Sequence, residues 1–181
     1  IIDPLIAAQA LLSVRSDVRF LSNSAIKNCI PAVDEACIYL DILNKKKKSQ
    51  ALRQCLKWLH SDGCLVLFPG GEVANRAYAK DESWSQSVTF LLKKSKPNVM
   101  VMNIYVRNSR MFYLVSRIFT FFRFKYGRAL FFVNELFNKK DVEIPVRLSS
   151  VINYDQFQEM DESRKLEYLH SLHYPITSDN D

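Results

Sequence analysis

Phe68-Pro-Gly-Gly-Glu72 is the segment of this 181-residue chain best suited to chemistry. It follows Cys64-Leu-Val-Leu-Phe68, a short and continuously apolar run that reads as a buried parallel strand. In open α/β sheets, ligands gather beyond the carboxyl ends of the strands. Two adjacent glycines there let the backbone approach a ligand closely, and their N–H groups can cradle a phosphate or an oxyanion. A tight turn between strand and helix explains the same residues without a ligand. The polar stretch from Val73 to Ser83 is long for a connection, as functional loops are.

The elements that must position this segment follow from periodicity. Asp3-Pro4 is a helix start, because the carboxylate caps and proline fits the first turn, and the apolar run continues to about Leu12. Val18–Ser22 and Ala36–Leu40 read as strands, with a brief helix and Pro31 between them. Leu52, Cys55, Leu56 and Leu59 form one face of a helix that Gly63 can end. Lys45–Lys48 precede that helix as a solvated loop. Trp84, Val88, Leu91 and Leu92 mark another helix, Val99–Val106 another buried strand, and Val142–Leu148 a late strand. Asp155–Leu172 reads as helical. Strands alternating with helices predict a single α/β domain with a mostly parallel sheet flanked by helices.

Composition narrows the function. Hydrophobic residues make up 48% and charged residues 24%, a globular balance rather than a disordered one. No run of apolar residues is long enough to span a bilayer as a helix. Cys29, Cys37, Cys55 and Cys64 lie in apolar stretches without CxxC spacing, so buried reduced thiols and a cytoplasmic setting are expected. His60, His170 and His173 have no ligand partners at metal spacing, and neither metal nor cofactor is expected. The net charge of +6 calls for an anionic partner. From Arg107 to Asn134 there are six basic residues, seven phenylalanines and no Asp or Glu. That mixture suits an anionic membrane surface or single-stranded nucleic acid. Nucleic acid ranks last, because no reader motif accompanies it. Met111–Phe122 fits either a helix lying in a membrane interface or a buried helix with outward arginines.

Phe68-Pro-Gly-Gly-Glu-Val73 resembles the Phe-Pro-Ala-Gly-Glu-Val form of the third block in the PlsC-like glycerophospholipid acyltransferase superfamily. That form typifies its haemolysin-like branch, which includes ornithine-lipid acyltransferases. Val18-Arg-Phe-Leu-Ser-Asn23 with Ile30-Pro31 is similar to the branch's second region. Ala51-Leu-Arg53 with Gly63 resembles the helix leading into block three, and Trp84 with Ser87 the helix after it. Arg107-Asn-Ser109 resembles the end of block four. Glu135-Leu136, Asn138-Lys139 and the tail from Tyr154 to Tyr174 match in spacing, so nearly the whole chain is covered. Ile1-Ile2-Asp3 resembles the end of the first block, in which an Asn-His-Pro histidine is followed by an aspartate. The chain starts with Ile1 rather than Met, so an N-terminally incomplete domain is expected, its histidine a few residues before position 1.

The resemblance implies a glycerol-3-phosphate acyltransferase-like fold and an O-acyltransferase. A fatty acyl group would pass from acyl-CoA or an acyl carrier protein to the hydroxyl of a lysophospholipid or lyso-aminolipid. The enzyme would sit peripherally on the inner, cytoplasmic face of a membrane. Histidine would act as general base and Asp3 would orient it. Phe68, Pro69, Gly70, Gly71 and Glu72 would form the acceptor turn, and Glu72 could pair with a cationic headgroup. The glycerophosphate-using enzymes carry an arginine where this chain has Val73. Arg76, Arg107 or Arg110, with Asn108 and Ser109 nearby in sequence, would then hold any phosphate. Without the histidine, the chain alone is expected to be nearly inactive. The alternative is a non-catalytic lipid- or membrane-binding domain of the same fold.

Overall fold

Three strands set the frame. β1 (Val18–Asn23) lies between β2 (Cys37–Leu40) and β3 (Cys64–Leu67), parallel to both, with Phe20 opposite Cys37 on one side and Val66 on the other. This computed structural model describes residues 3–24, 27, 34–41, 43–70, 84–106, 108–121 and 137–172. The result is a mixed α/β protein with a small parallel sheet flanked by helices. The brief helix expected around Pro31 lies outside the described residues.

Alternation along the strands assigns each residue to a layer. Val18 and Phe20, with Cys64, Val66 and Phe68, pack against Ala7, Ala8 and Leu11 of α1 (Asp3–Leu12). Leu21, Ile38, Leu40, Leu65 and Leu67 point the other way, towards α2 (Lys45–His60) and Leu91 of α3 (Gln86–Ser95). α2 presents the face read from its sequence: Cys55 is fully buried, and Leu52, Leu56 and Leu59 pack beside it. Beyond α3 a further cluster joins Val88, Leu92, Val101, Ile152, Phe157 and Leu169, with Leu67 reaching both.

Several expectations are corrected by local physics. Lys45–Lys48 are not a loop but the first turn of α2, because Asn44 caps it by accepting a bond from the Lys47 N–H at 3.1 Å. Four positive charges at a helix N-terminus are unfavourable, and Asp41, 3.6 Å from the Lys47 ammonium, offsets part of that. Gly63 does not supply the left-handed residue that ends α2. Asp62 does, at φ 59°. Gly63 answers to a different constraint, since a Cβ there would meet the Trp58 ring at 2.4 Å. The indole needs that space to donate to the Cys64 carbonyl at 3.1 Å and to stack under the Arg19 guanidinium, 4.2 Å from its centroid.

The second half departs further from the expected parallel sheet. Of Val99–Val106 only Met102–Ile104 forms a strand (β4), preceded by a lone bridge from Val99 to Ile152. β4 pairs antiparallel with β5 (Val146–Leu148) in a separate two-stranded ribbon. β5 is shorter than Val142–Leu148 because Pro145 precedes it without an N–H, although its carbonyl still accepts from Tyr105 at 3.0 Å. Its three residues are exposed. The expected tail helix is broken into a single 3-10 turn, Tyr154–Gln156, and α5 (Glu162–Ser171). Asp161 starts α5 afresh by accepting from the Arg164 N–H at 2.8 Å. α4 (Arg110–Phe121) lies between β4 and β5 in the chain.

The amino-terminal edge of the sheet offers two tests. Gly63→Ala should cost ~1–3 kcal/mol in denaturant unfolding, because the indole must leave its site. A variant as stable as the parent would show that Trp58 is not confined there. At the same edge the Arg15 guanidinium forks onto Asp17, at 2.8 and 2.6 Å, and holds that carboxyl below the usual carboxylate range. A lowered pKa stabilises the fold above the unfolded value and is lost as pH falls through the folded one. Asp17→Asn should therefore be less stable than the parent above pH ~4 and converge with it below. A gap that persists undiminished in acid would contradict this.

Candidate functional site

β3 ends at Leu67, one residue earlier than expected, and Phe68-Pro69-Gly70 turns away from the sheet's carboxyl end. Phe68 still packs on the α1 face, while Leu67 packs on the opposite face. Residues 71–83 lie outside the described ones, and the described chain resumes at Trp84, followed by Ser85. Its N–H donates to the Pro69 carbonyl at 3.1 Å. Ser85 also caps α3, its Oγ accepting from the Ser87 N–H at 3.2 Å. Ser85 therefore both bonds to the turn and starts the next helix.

Asp3 opens α1, whose other end joins β1 through the five residues 13–17. So short a connection folds the helix back along β1, against which it packs through Ala7, Ala8 and Leu11. A ten-residue helix is ~15 Å long. Ile104 packs into the same cluster as Phe68. Ser109 caps α4, its Oγ accepting from the Phe112 N–H at 3.1 Å. Arg110 is exposed on the first turn of α4. Gly71, Glu72, Arg76 and Arg107 lie outside the described residues.

His60 is exposed at the end of α2, and His170 meets Trp84 edge-on at 5.6 Å on the opposite side of the sheet. Cys37, Cys55 and Cys64 are free thiols, and burial pushes Cys55 up to about 11, which keeps it an unreactive thiol at neutral pH. Among the described residues no group of three or more His, Cys, Asp or Glu is placed to hold a metal ion.

An open cavity of about 360 Å³ adjoins the outer side of α1. Leu5, Ile6, Phe137 and Ile144 give it apolar walls, and Gln9, Lys139 and Lys140 give it polar ones. Ile6 lies three residues after Asp3, hence on an adjacent position of the same helix face. Sequence reasoning missed this cavity, because its two walls stand more than a hundred residues apart in the chain. No family model matches the chain, and neither does any curated protein or solved structure.

Ser109→Ala should lower stability by ~1 kcal/mol through loss of the α4 cap, with Ser109→Gly losing less. Equal stability of all three proteins in denaturant unfolding would remove the capping role.

Proposed function

We propose that this chain is the acyl-handling domain of an O-acyltransferase that moves a fatty acyl group from an acyl thioester to a lysolipid hydroxyl. One observation carries the reading: α1, the helix that Asp3 opens, also lines an open, mostly apolar cavity flanked by Lys139 and Lys140. Apolar walls suit an acyl chain, and the Lys139 and Lys140 ammonium groups suit an anionic thioester carrier or lipid headgroup. The resemblance of Phe68–Val73 to the third acyltransferase block supports the same assignment.

The chemistry asks for a base to take the proton from the acceptor hydroxyl as its oxygen attacks the thioester carbonyl. A carboxylate is too weak a base to do this alone at neutral pH. In this reading Asp3 orients a histidine that precedes it and stabilises the imidazolium as it forms; the tetrahedral intermediate then collapses with cleavage of the C–S bond, and the imidazolium returns its proton to the departing thiolate. The backbone N–H groups of the glycine turn supply the donors that a tetrahedral oxyanion needs. His60 and His170 take no part.

The test is thiol release from a long-chain acyl-CoA offered with a panel of lysophospholipids and lyso-aminolipids. The 181-residue chain should bind acyl-CoA without turnover, and a chain extended N-terminally through an Asn-His-Pro segment should turn over. Asp3→Asn should slow the longer chain by about a hundredfold or more, the scale of a positioned acid–base group. Ile6→Trp should weaken acyl-CoA binding by filling the cavity. An active long chain indifferent to Asp3→Asn would end the assignment of Asp3. Binding without turnover in both chains would favour a non-catalytic lipid-binding domain.

A further inference from the structure

The outer face of α4 is apolar where water would favour polar side chains. Met111, Leu114 and Ile118 are 57, 55 and 46% exposed, while Phe112, one residue away, is 3% exposed. Positions 111, 114 and 118 fall on one stripe of a helix, and Phe112 fixes the opposite side into the protein. Arg110 and Arg117, both exposed and seven residues apart, line up along one edge of that stripe. No acidic residue occurs anywhere from Ser83 to Asn134, whereas nine basic residues do. Among the described residues no helix is long and apolar enough to cross a membrane, and α4, at twelve residues, is only ~18 Å long.

We infer that α4 docks this protein on a bilayer containing anionic lipid, lying in the plane of the interface. Met111, Leu114 and Ile118 enter the acyl boundary, and the two guanidinium groups reach the lipid phosphates. Charge decides the occupant. A second copy meeting this face about a two-fold axis would set arginines against arginines with no carboxylate on the stripe to relieve them. An anionic lipid surface supplies the missing negative charge everywhere along the helix. The inference gives the proposed acyltransferase a docking surface for its lipid acceptor but uses none of its catalytic residues. It is tested without acyl thioester, so either reading can fail alone.

The experiment is co-sedimentation of the 181-residue chain with vesicles of phosphatidylcholine, pure or containing one third phosphatidylserine. Binding should require phosphatidylserine and weaken as salt screens the charges. Leu114→Glu with Ile118→Glu should abolish it while leaving thermal unfolding unchanged, since both side chains are exposed. Arg110→Gln with Arg117→Gln should weaken it about 25-fold, taking ~1 kcal/mol for each basic residue at an anionic surface. Undiminished binding by the glutamate variant would overturn the docking face, and equal binding to pure phosphatidylcholine would overturn the role of charge. A parent chain that ignores vesicles but dimerises through Leu114 and Ile118 would show a second copy on the stripe instead, and the inference would fall.

Discussion

β1 is hydrogen-bonded to a parallel neighbour along both edges, and everything else in the first half of the molecule answers to that arrangement. A strand so placed cannot leave either face to water, so each successive side chain needs a different layer to enter. Val18 and Phe20 require α1, and Leu21 requires α2. Burying aliphatic and aromatic side chains of this size is worth ~1.5–3 kcal/mol apiece. A one-residue slip of β1 against β3 would send Phe20 into the layer built for leucines and put Arg19 where the alanines of α1 approach. Arg19 tolerates its half-buried position because Trp58 gives its charge an aromatic face.

The parts of this architecture that are legible in the sequence are those decided by local pattern. α2 shows itself through Leu52, Cys55, Leu56 and Leu59, and β3 through a run of apolar residues bounded by two glycine-containing turns. The region after Val99 misleads because its residues are apolar on both faces, as in a parallel strand, yet Met100 is exposed and Asn103 is buried. Asn103 belongs inside only because its amide donates to the Leu172 carbonyl at 3.1 Å, a partner 69 residues away. Gly63 is visible as punctuation, but the indole that requires it is not. For α4, the sequence is compatible with a fully buried helix; the exposure of Leu114 beside the burial of Phe112 shows a helix packed on one side only.

The candidate site divides in the same way. The strand-to-turn position of Phe68–Gly70 follows from the sequence, because a buried strand must end where its apolar run meets proline and glycine. The cavity is invisible at that level, since Leu5 and Ile6 look like ordinary members of an apolar helix until Phe137 and Ile144 stand opposite them. Ser109 carries a second lesson. A residue matched to a family block can owe its place to the backbone alone, and its bond to the Phe112 N–H is sufficient reason for a serine there.

The bond from the Ser85 N–H to the Pro69 carbonyl bears on how such a protein can diversify. It joins the two stems of the 71–83 segment directly, so the sheet and α3 are braced independently of what lies between. Insertions or deletions between Gly70 and Trp84 would therefore leave that bond and the three clusters in place. Chain length can change there without the repacking that a substitution in any of the three clusters would demand.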